Sequence, residues 1–487
     1  MSSNLPVLLF IVPFVMGVSM PLLTANRPSW CPNLTLGAFG IMLLLSIANL
    51  RVVLAQGPIE YAFGGWAAPI GIAWLNDSIA AIVVLIISLV SVITQIYGRL
   101  DATNTLAKSI PYYTLILIMV SGLVGIIFAA DLFNVFVFLE VVALTGYALV
   151  GAAGGKALVY AFRYLLLGSF GATLYLLGLA HLYVATGTLN MADLAIRLPE
   201  LMTSTAVAGG LIYIFLGLSI KMALIPLHSW LPDAYANAPS SIAPLLASTV
   251  TKVSLVAWIR IEYSLIAQGV EVSHVPVLVL LEEIGVIAAL IGGALALIQT
   301  NLKRMFAYGG ISHIGLILIG VSLGNTTGFA GGMFYLINDA VMQASLFMIA
   351  GALVYYHSAH TLEDLRGVGR QSPWLTGALV VAAVAMVGLP PTGGFFGKWN
   401  IILGALEAQH YFAAFAVLAS TLLTLAYFLK IFSCWFHQPQ QTPSEPLVVS
   451  NALRISLGAI SISMIALGLM SDTIFQFLIE SITNGGV

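Results

Sequence analysis

The sequence predicts an all-α protein that crosses a membrane about fourteen times, and three observations carry that expectation. The chain of 487 residues is 60% hydrophobic and only 7% charged, whereas soluble domains run near a quarter charged. Apolar stretches recur from end to end, each of the roughly 20 residues needed to cross the hydrocarbon core of a bilayer. Only short loops separate them, with no soluble domain, low-complexity tract or long linker. The net charge of -2 says little, because placement matters more here than the sum, and nothing in the sequence suggests nucleic-acid binding.

In chain order the apolar stretches fall near 4–24, 34–55, 76–97, 109–129, 131–151, 158–186, 207–236, 240–267, 274–299, 303–324, 328–356, 374–409, 411–437 and 451–481. The opening MSSNLPVLLFIVPFVMGVSM lacks a basic n-region and a small-residue cleavage site, so it reads as a retained first helix. Pro/Gly pairs such as Gly57-Pro58 and Gly64-Gly65 mark loops. Cys31 and Cys434 lie far apart and read as packing residues.

Basic residues favour cytoplasmic loops. With both termini outside, the inside loops receive Arg27, Arg99, Lys108, Lys156, Lys303, Arg304, Arg366 and Arg370, and the outside loops only Arg51, Arg197 and Arg260. The asymmetry predicts N-out, C-out and an even number of spans in a bacterial or archaeal inner membrane.

Two stretches are too long and are interrupted. One, 207–236, breaks near Pro226; the other, 374–409, breaks at GLPPTGG, Gly388 to Gly394. Proline removes a backbone donor, and in lipid the freed groups need new partners. Lys221 precedes its break, whereas Lys398 follows its own. Broken helices read in opposite senses predict two inverted five-helix repeats, 109–267 and 274–437, flanked by a three-helix segment, 1–108, and a C-terminal helix, 438–487.

Ionisable residues inside apolar helices are expensive, by roughly 2.5–3.5 kcal/mol on insertion scales, and face the protein interior or water. Lys221 lies in GLSIKMALIPLHSWLPDAYANAP and Glu140 in DLFNVFVFLEVVALTGYALVG, nine residues after Asp131. Side by side they would set each other's charge; the alternative is a pair that only locks two helices. In SSIAPLLASTVTKVSL, Ser241, Ser248 and Lys252 fall at i, i+7 and i+11, a polar stripe on one helical face, unless the lysine snorkels to the surface. His313, in AYGGISHIGLILIG, is a relay or a hydrogen-bonded core residue. Lys398, in GLPPTGGFFGKWNIIL, follows the logic of Lys221. Asp339 and Gln343, one turn apart in YLINDAVMQASLF, extend the polar interior between His313 and Lys398. His228 is a gate or a helix cap, and Lys430 reads as a snorkelling residue.

The pattern is a row of proton-exchanging groups, not a pocket. No phosphate loop, GxGxxG turn, CxxC pair, His cluster or Ser-His-Asp arrangement is present in the sequence. The reading therefore calls for no cofactor and no metal in this chain.

These motifs resemble the antiporter-like proton-channel subunits shared by complex I (its L, M and N subunits), Mrp-type multisubunit sodium/proton antiporters and membrane-bound hydrogenases. DLFN-x-FVF-x-E, Asp131 to Glu140, looks most like the D-type chain of Mrp antiporters. IKMALIPLHSWLPDAYANAPSSIAPLLAS matches the broken-helix lysine and PLHSWLPDA signature, NLKRMFAYGGISHIG the entry to the second repeat, and GLPPTGGFFGKW the second break with Lys398. The resemblance implies fourteen helices, a switchable Glu140–Lys221 pair, and a hydrophilic axis continued by Lys252, His313 and Lys398. It also implies partner subunits, both homologous antiporter-like chains and small membrane proteins, and transport of protons, with sodium as a candidate counter-ion. Many relatives have His and Lys where this chain has Asp339 and Gln343. The M subunit of complex I has Glu at the position of Lys398, and the L subunit's long lateral helix has no counterpart here. The expected function is that of a D-type antiporter subunit, with the pumping subunit of a redox-driven complex as the alternative. A stand-alone solute transporter and a structural scaffold are the remaining readings.

Overall fold

The computed structural model describes residues 4–101, 109–201, 203–265, 277–437 and 449–483. Lys108, counted above among the inside basic residues, lies outside them. The helices are α1 (Leu5–Thr24), α2 (Cys31–Gln56), α3 (Ser78–Gly98), α4 (Ile110–Phe128), α5 (Leu132–Gly151), α6 (Lys156–Thr186), α7 (Met191–Arg197), α8 (Thr205–Lys221), α9 (Leu231–Asn237) and α10 (Ala243–Leu265). There follow α11 (Val277–Ile298), α12 (Leu302–Ser322), α13 (Thr326–His357), α14 (Val368–Gln371), α15 (Pro373–Val387), α16 (Gly393–Glu407), α17 (Tyr411–Trp435), α18 (Asn451–Leu469) and α19 (Ser471–Thr483). Among the described residues, twelve helices are long and apolar enough to cross a membrane, and α8 and α15 are shorter apolar helices.

Polar caps start several helices. Asp77 Oδ1 accepts from the Ala80 amide at 2.8 Å, Asp131 Oδ1 from Phe133 at 2.8 Å and Asn134 at 3.0 Å, and Asn301 Oδ1 from Arg304 at 3.0 Å. Each satisfies an orphan donor of a first turn. Both interrupted spans break where proline intervenes: α8 stops at Lys221 and α9 starts at Leu231, while α15 stops at Val387 and α16 starts at Gly393. Gly388 ends α15 at φ 83°, a left-handed conformation natural to glycine.

Helices meet through glycines where backbones touch. A methyl on Gly178 of α6 would lie 2.6 Å from the Gly210 carbonyl of α8, and one on Gly217 would lie 2.6 Å from the Gly171 carbonyl. In the second half, a methyl on Gly331 of α13 would meet the Ile401 amide of α16 at 2.8 Å, and one on Gly404 would meet Gly328 at 2.5 Å. Small residues permit such approaches, and lipid supplies no hydrophobic force to replace the lost contact.

Four expectations need correction. The chain is not wholly helical, because β1 (Ile59–Ala62) pairs antiparallel with β2 (Ala73–Asn76), from Ile59 opposite Asn76 to Ala62 opposite Ala73. This hairpin occupies the loop that the glycine pairs marked. The stretch 451–481 is not one helix: it breaks at Met470 between α18 and α19. Arg260 is not in a loop but buried in α10, ion-paired with Asp77 and donating to the Ile127 carbonyl at 2.5 Å. Its position near the end of an apolar run made it look terminal. Lys303 is likewise buried, in the first turn of α12, where Nζ donates to Ser240 Oγ at 3.1 Å.

Candidate functional site

Lys221 ends α8, at the edge of the break, and Glu140 projects from α5. Lys221 Nζ donates to Glu140 Oε1 at 2.8 Å. Lysine is buried and Glu140 is about a quarter exposed, at 26%. The break is braced by Trp230, whose Nε1 donates to the Ile220 carbonyl at 2.8 Å. The same carbonyl also accepts from the Ala223 amide at 3.1 Å, so the end of α8 is held from two sides.

A second, longer group lies between α10, α12, α13 and α16. Lys252 Nζ sits 2.8 Å from Asp339 Oδ2 and donates to the Ala247 carbonyl at 2.9 Å. The other carboxylate oxygen of Asp339 is 2.8 Å from His313 Nδ1. Tyr335 hydroxyl lies 3.2 Å from the same nitrogen, and Lys398 Nζ stands 5.8 Å over the Tyr335 ring. Lys398 also donates to the Met386 carbonyl at 2.8 Å and the Val387 carbonyl at 3.3 Å. Those are the last carbonyls of α15, where the helix dipole favours a cation. Lys252, Asp339, His313, Tyr335 and Lys398 are all buried.

The side chains singled out in the sequence thus form two groups. Among the described residues, no hydrogen bond or ion pair joins Glu140–Lys221 directly to Lys252. Asp339 is a correction of rank: read as an auxiliary residue, it is the counter-ion of Lys252 and the hydrogen-bond partner of His313. A lone acid in mid-helix had the same signal as Glu140. Tyr335 was not singled out at all, since a tyrosine in an apolar helix gives no distinctive mark. Gln343 lines a cavity of about 10 Å³ beside Lys252, together with Thr251 and Gly310; that is room on the order of one water. Ser248 spends its hydroxyl on the Leu245 carbonyl of its own helix at 3.0 Å. His228 is off the axis, half-buried in the break, with its ring 6.0 Å from that of Tyr308. Lys430, half-buried, reaches the end of α11, where Nζ donates to the Leu297 and Gln299 carbonyls at 2.9 and 3.1 Å.

A cavity of about 580 Å³ lies where α3 and α13 end and α10 and α12 begin. Its walls include Tyr97, Ser240, Ser241, Asn301, Lys303 and Arg304. Ala307 and Gly310, one and two turns further along α12, line the small cavity at Lys252. The first part of the Ser241–Ser248–Lys252 stripe therefore points from the larger cavity towards the buried lysine.

Two interrupted helices, each ending or beginning near a buried lysine, and an axis of ionisable side chains between them define a polytopic membrane protein of the ion-translocating type. The chain belongs to the NADH:quinone oxidoreductase/Mrp antiporter transmembrane family, whose model matches residues 129–424. It is 34% identical over 495 residues to the N-type chain of the NADH-quinone oxidoreductase of Desulforudis audaxviator, covering 99% of this chain and 98% of that protein. It is 30% identical over 482 residues to the D-type chain of the Na(+)/H(+) antiporter of Alkalihalophilus pseudofirmus, covering 98% and 96%. Among solved structures, a chain of the membrane-bound sulfane sulfur reductase, an archaeal respiratory membrane complex, superposes with a TM-score of 0.90 at 29% identity, covering 97% of this chain and 96% of that one.

Proposed function

We propose that this chain is the proton-translocating, antiporter-like subunit of a multisubunit membrane complex, a D-type chain exchanging protons for a monovalent cation, with sodium the first to test. One observation carries the reading: the buried series Lys252–Asp339–His313–Tyr335, joined by contacts of 2.8 to 3.2 Å, with Lys398 standing over the Tyr335 ring at its end. Buried amino groups, an imidazole and a carboxylate can exchange a proton between them, with small changes of contact shifting its position. Glu140–Lys221 gates this axis, Lys252 and His313 relay, and Lys398 exchanges with the opposite side. In this role the chain needs no cofactor of its own, and its partners are homologous antiporter-like chains and small membrane subunits.

The chain crosses a bacterial or archaeal inner membrane fourteen times, each broken helix counting once, with both termini outside. The repeats 109–267 and 274–437 are inverted copies.

A second reading, the pumping subunit of a redox-driven complex, is favoured by the likeness to an NADH-quinone oxidoreductase chain and to an archaeal respiratory complex. Iron–sulfur or flavin content in the complex that co-purifies with this chain selects it; their absence from an active complex selects antiport. The gate is tested by proton flux in vesicles holding that complex. Lys221→Ala and Glu140→Ala each abolish coupled flux, and unaltered coupling in either rules the gate out.

A further inference from the structure

One buried acid stands apart from both groups. Glu262, on α10, is 0% exposed, and neither carboxylate oxygen has a hydrogen-bond partner in the protein. One turn before it, Trp258 is 1% exposed with its indole N–H equally unpartnered. A protein interior leaves a carboxylate and an N–H donor without partners only at a cost of some kcal/mol each, so such groups call for a role.

Their spacing gives the role. Thr251, Trp258 and Glu262 fall at i, i+7 and i+11, the latter two each about 20° from Thr251 around a helix and on opposite sides of it. This is the spacing of Ser241, Ser248 and Lys252, moved ten residues along α10. The two stripes lie on faces about 80° apart around the helix, and they meet at the small cavity, which both Thr251 and Lys252 line. From there the second stripe runs about 16 Å towards the end of α10 remote from the larger cavity. Facing it, α8 sets Phe215 against Trp258 with ring centroids 4.9 Å apart. One turn on, Ser219 of α8 offers another buried hydroxyl without a partner.

We propose that Glu262 is a further proton-exchange group, ending a polar line that starts at Ser241, just before α10, and branches from the axis at Lys252. This rests on the proton-translocating reading above. The carboxylate accepts one proton from the Lys252 level through water held at the Thr251, Ser219 and Trp258 polar groups, becomes the neutral acid, and releases that proton at the far face. The charged groups around it are otherwise engaged. Arg260 is bound to Asp77, and Asp193 of α7 to Arg197 at 3.0 Å. On the packed faces of α5, α8 and α13, the ionised groups are Glu140, Lys221 and Asp339, each already paired. Tyr263 packs on Phe329, centroids 4.1 Å apart.

The test uses the assembled complex in vesicles. Glu262→Gln lowers proton flux on the order of a hundredfold, as loss of a positioned proton-transfer group does, while Glu262→Asp retains a measurable part. Infrared difference spectra of the wild type show a protonated-carboxyl C=O stretch that responds to pH on one side and is missing in Glu262→Gln. Flux in Glu262→Gln within about twofold of wild type, with Lys221→Ala silent, overturns the inference and leaves the main reading standing. Wild-type flux in Lys221→Ala overturns the gate of the main reading instead. If Glu262→Gln does not assemble, Glu262→Asp decides: a shifted C=O band supports the branch, and an unmoved band overturns it.

Discussion

Asp339 holds Lys252 and His313 at once, one carboxylate oxygen 2.8 Å from each. A single acid thus engages two groups on two other helices, pairing with the Lys252 ammonium and hydrogen-bonding the His313 ring. Removing one partner of a buried pair leaves an uncompensated charge, worth about 3–5 kcal/mol. Asp339→Leu is expected to lower the thermal stability of the complex by that order and to abolish flux. The double variant Asp339→Leu with Lys252→Met recovers stability, since apolar replacements of both partners are tolerated, but not flux. Recovery of flux in the double variant would remove the pair from the transport path.

Glu140 gives a different outcome because it is partly exposed. Glu140→Gln keeps the shape and loses the charge, so assembly persists while flux falls. Lys221→Arg preserves charge but is not a conservative change at a point-charge site: arginine keeps its proton at any accessible pH. Its flux is expected to match that of Lys221→Ala. Flux close to wild type in Lys221→Arg would mean that Lys221 never releases its proton.

Arg260 ties α10 to the end of α4 and to the cap of α3, through Ile127 and Asp77. Arg260→Met strands the Asp77 carboxylate. The expected loss is about 3–5 kcal/mol in stability, read as a lower thermal transition, with the flux per folded complex unchanged.

A pH effect outside the membrane follows from Asp364. Its Oδ2 accepts from the Thr361 amide at 2.8 Å, the His360 amide at 3.0 Å and Thr361 Oγ1 at 2.8 Å. The Thr361 amide is the largest influence holding the carboxyl below its usual range. A lowered folded value stabilises the turn fully above the unfolded value of about 3.9, and the contribution disappears as pH falls through the folded value. Hydrogen exchange in 358–366 should therefore be slow in the wild type and fast in Asp364→Asn at neutral pH, the two converging in acid. Because His360 and Thr300 carbonyls receive the Leu302 and Leu362 amides, the turn also fixes where α12 starts.

The breaks, their lysines and Glu140 were legible because each is local: a charge or a proline inside an apolar run is anomalous by itself. Pairing was not. Asp339 lies on α13 and Lys252 on α10, and nothing in either helix names the other. Arg260 failed for a related reason, since its partner Asp77 caps α3, 183 positions earlier in the chain. The hairpin Ile59–Asn76 hid in a stretch read only for its glycines. Glu262 escaped because it follows Arg260 so closely that both looked like a helix end.

The glycine contacts between α6 and α8, and between α13 and α16, leave no lubricating side chains between the paired backbones. A side chain at any of these positions would force the backbones apart, so the close pairing depends on glycine. Pairs held this closely are expected to move as units, so turnover is expected to run within a stationary scaffold, as in a switchboard and not a piston. Spin labels on the outer surfaces of α6 and α8 should report one unvarying separation throughout the transport cycle.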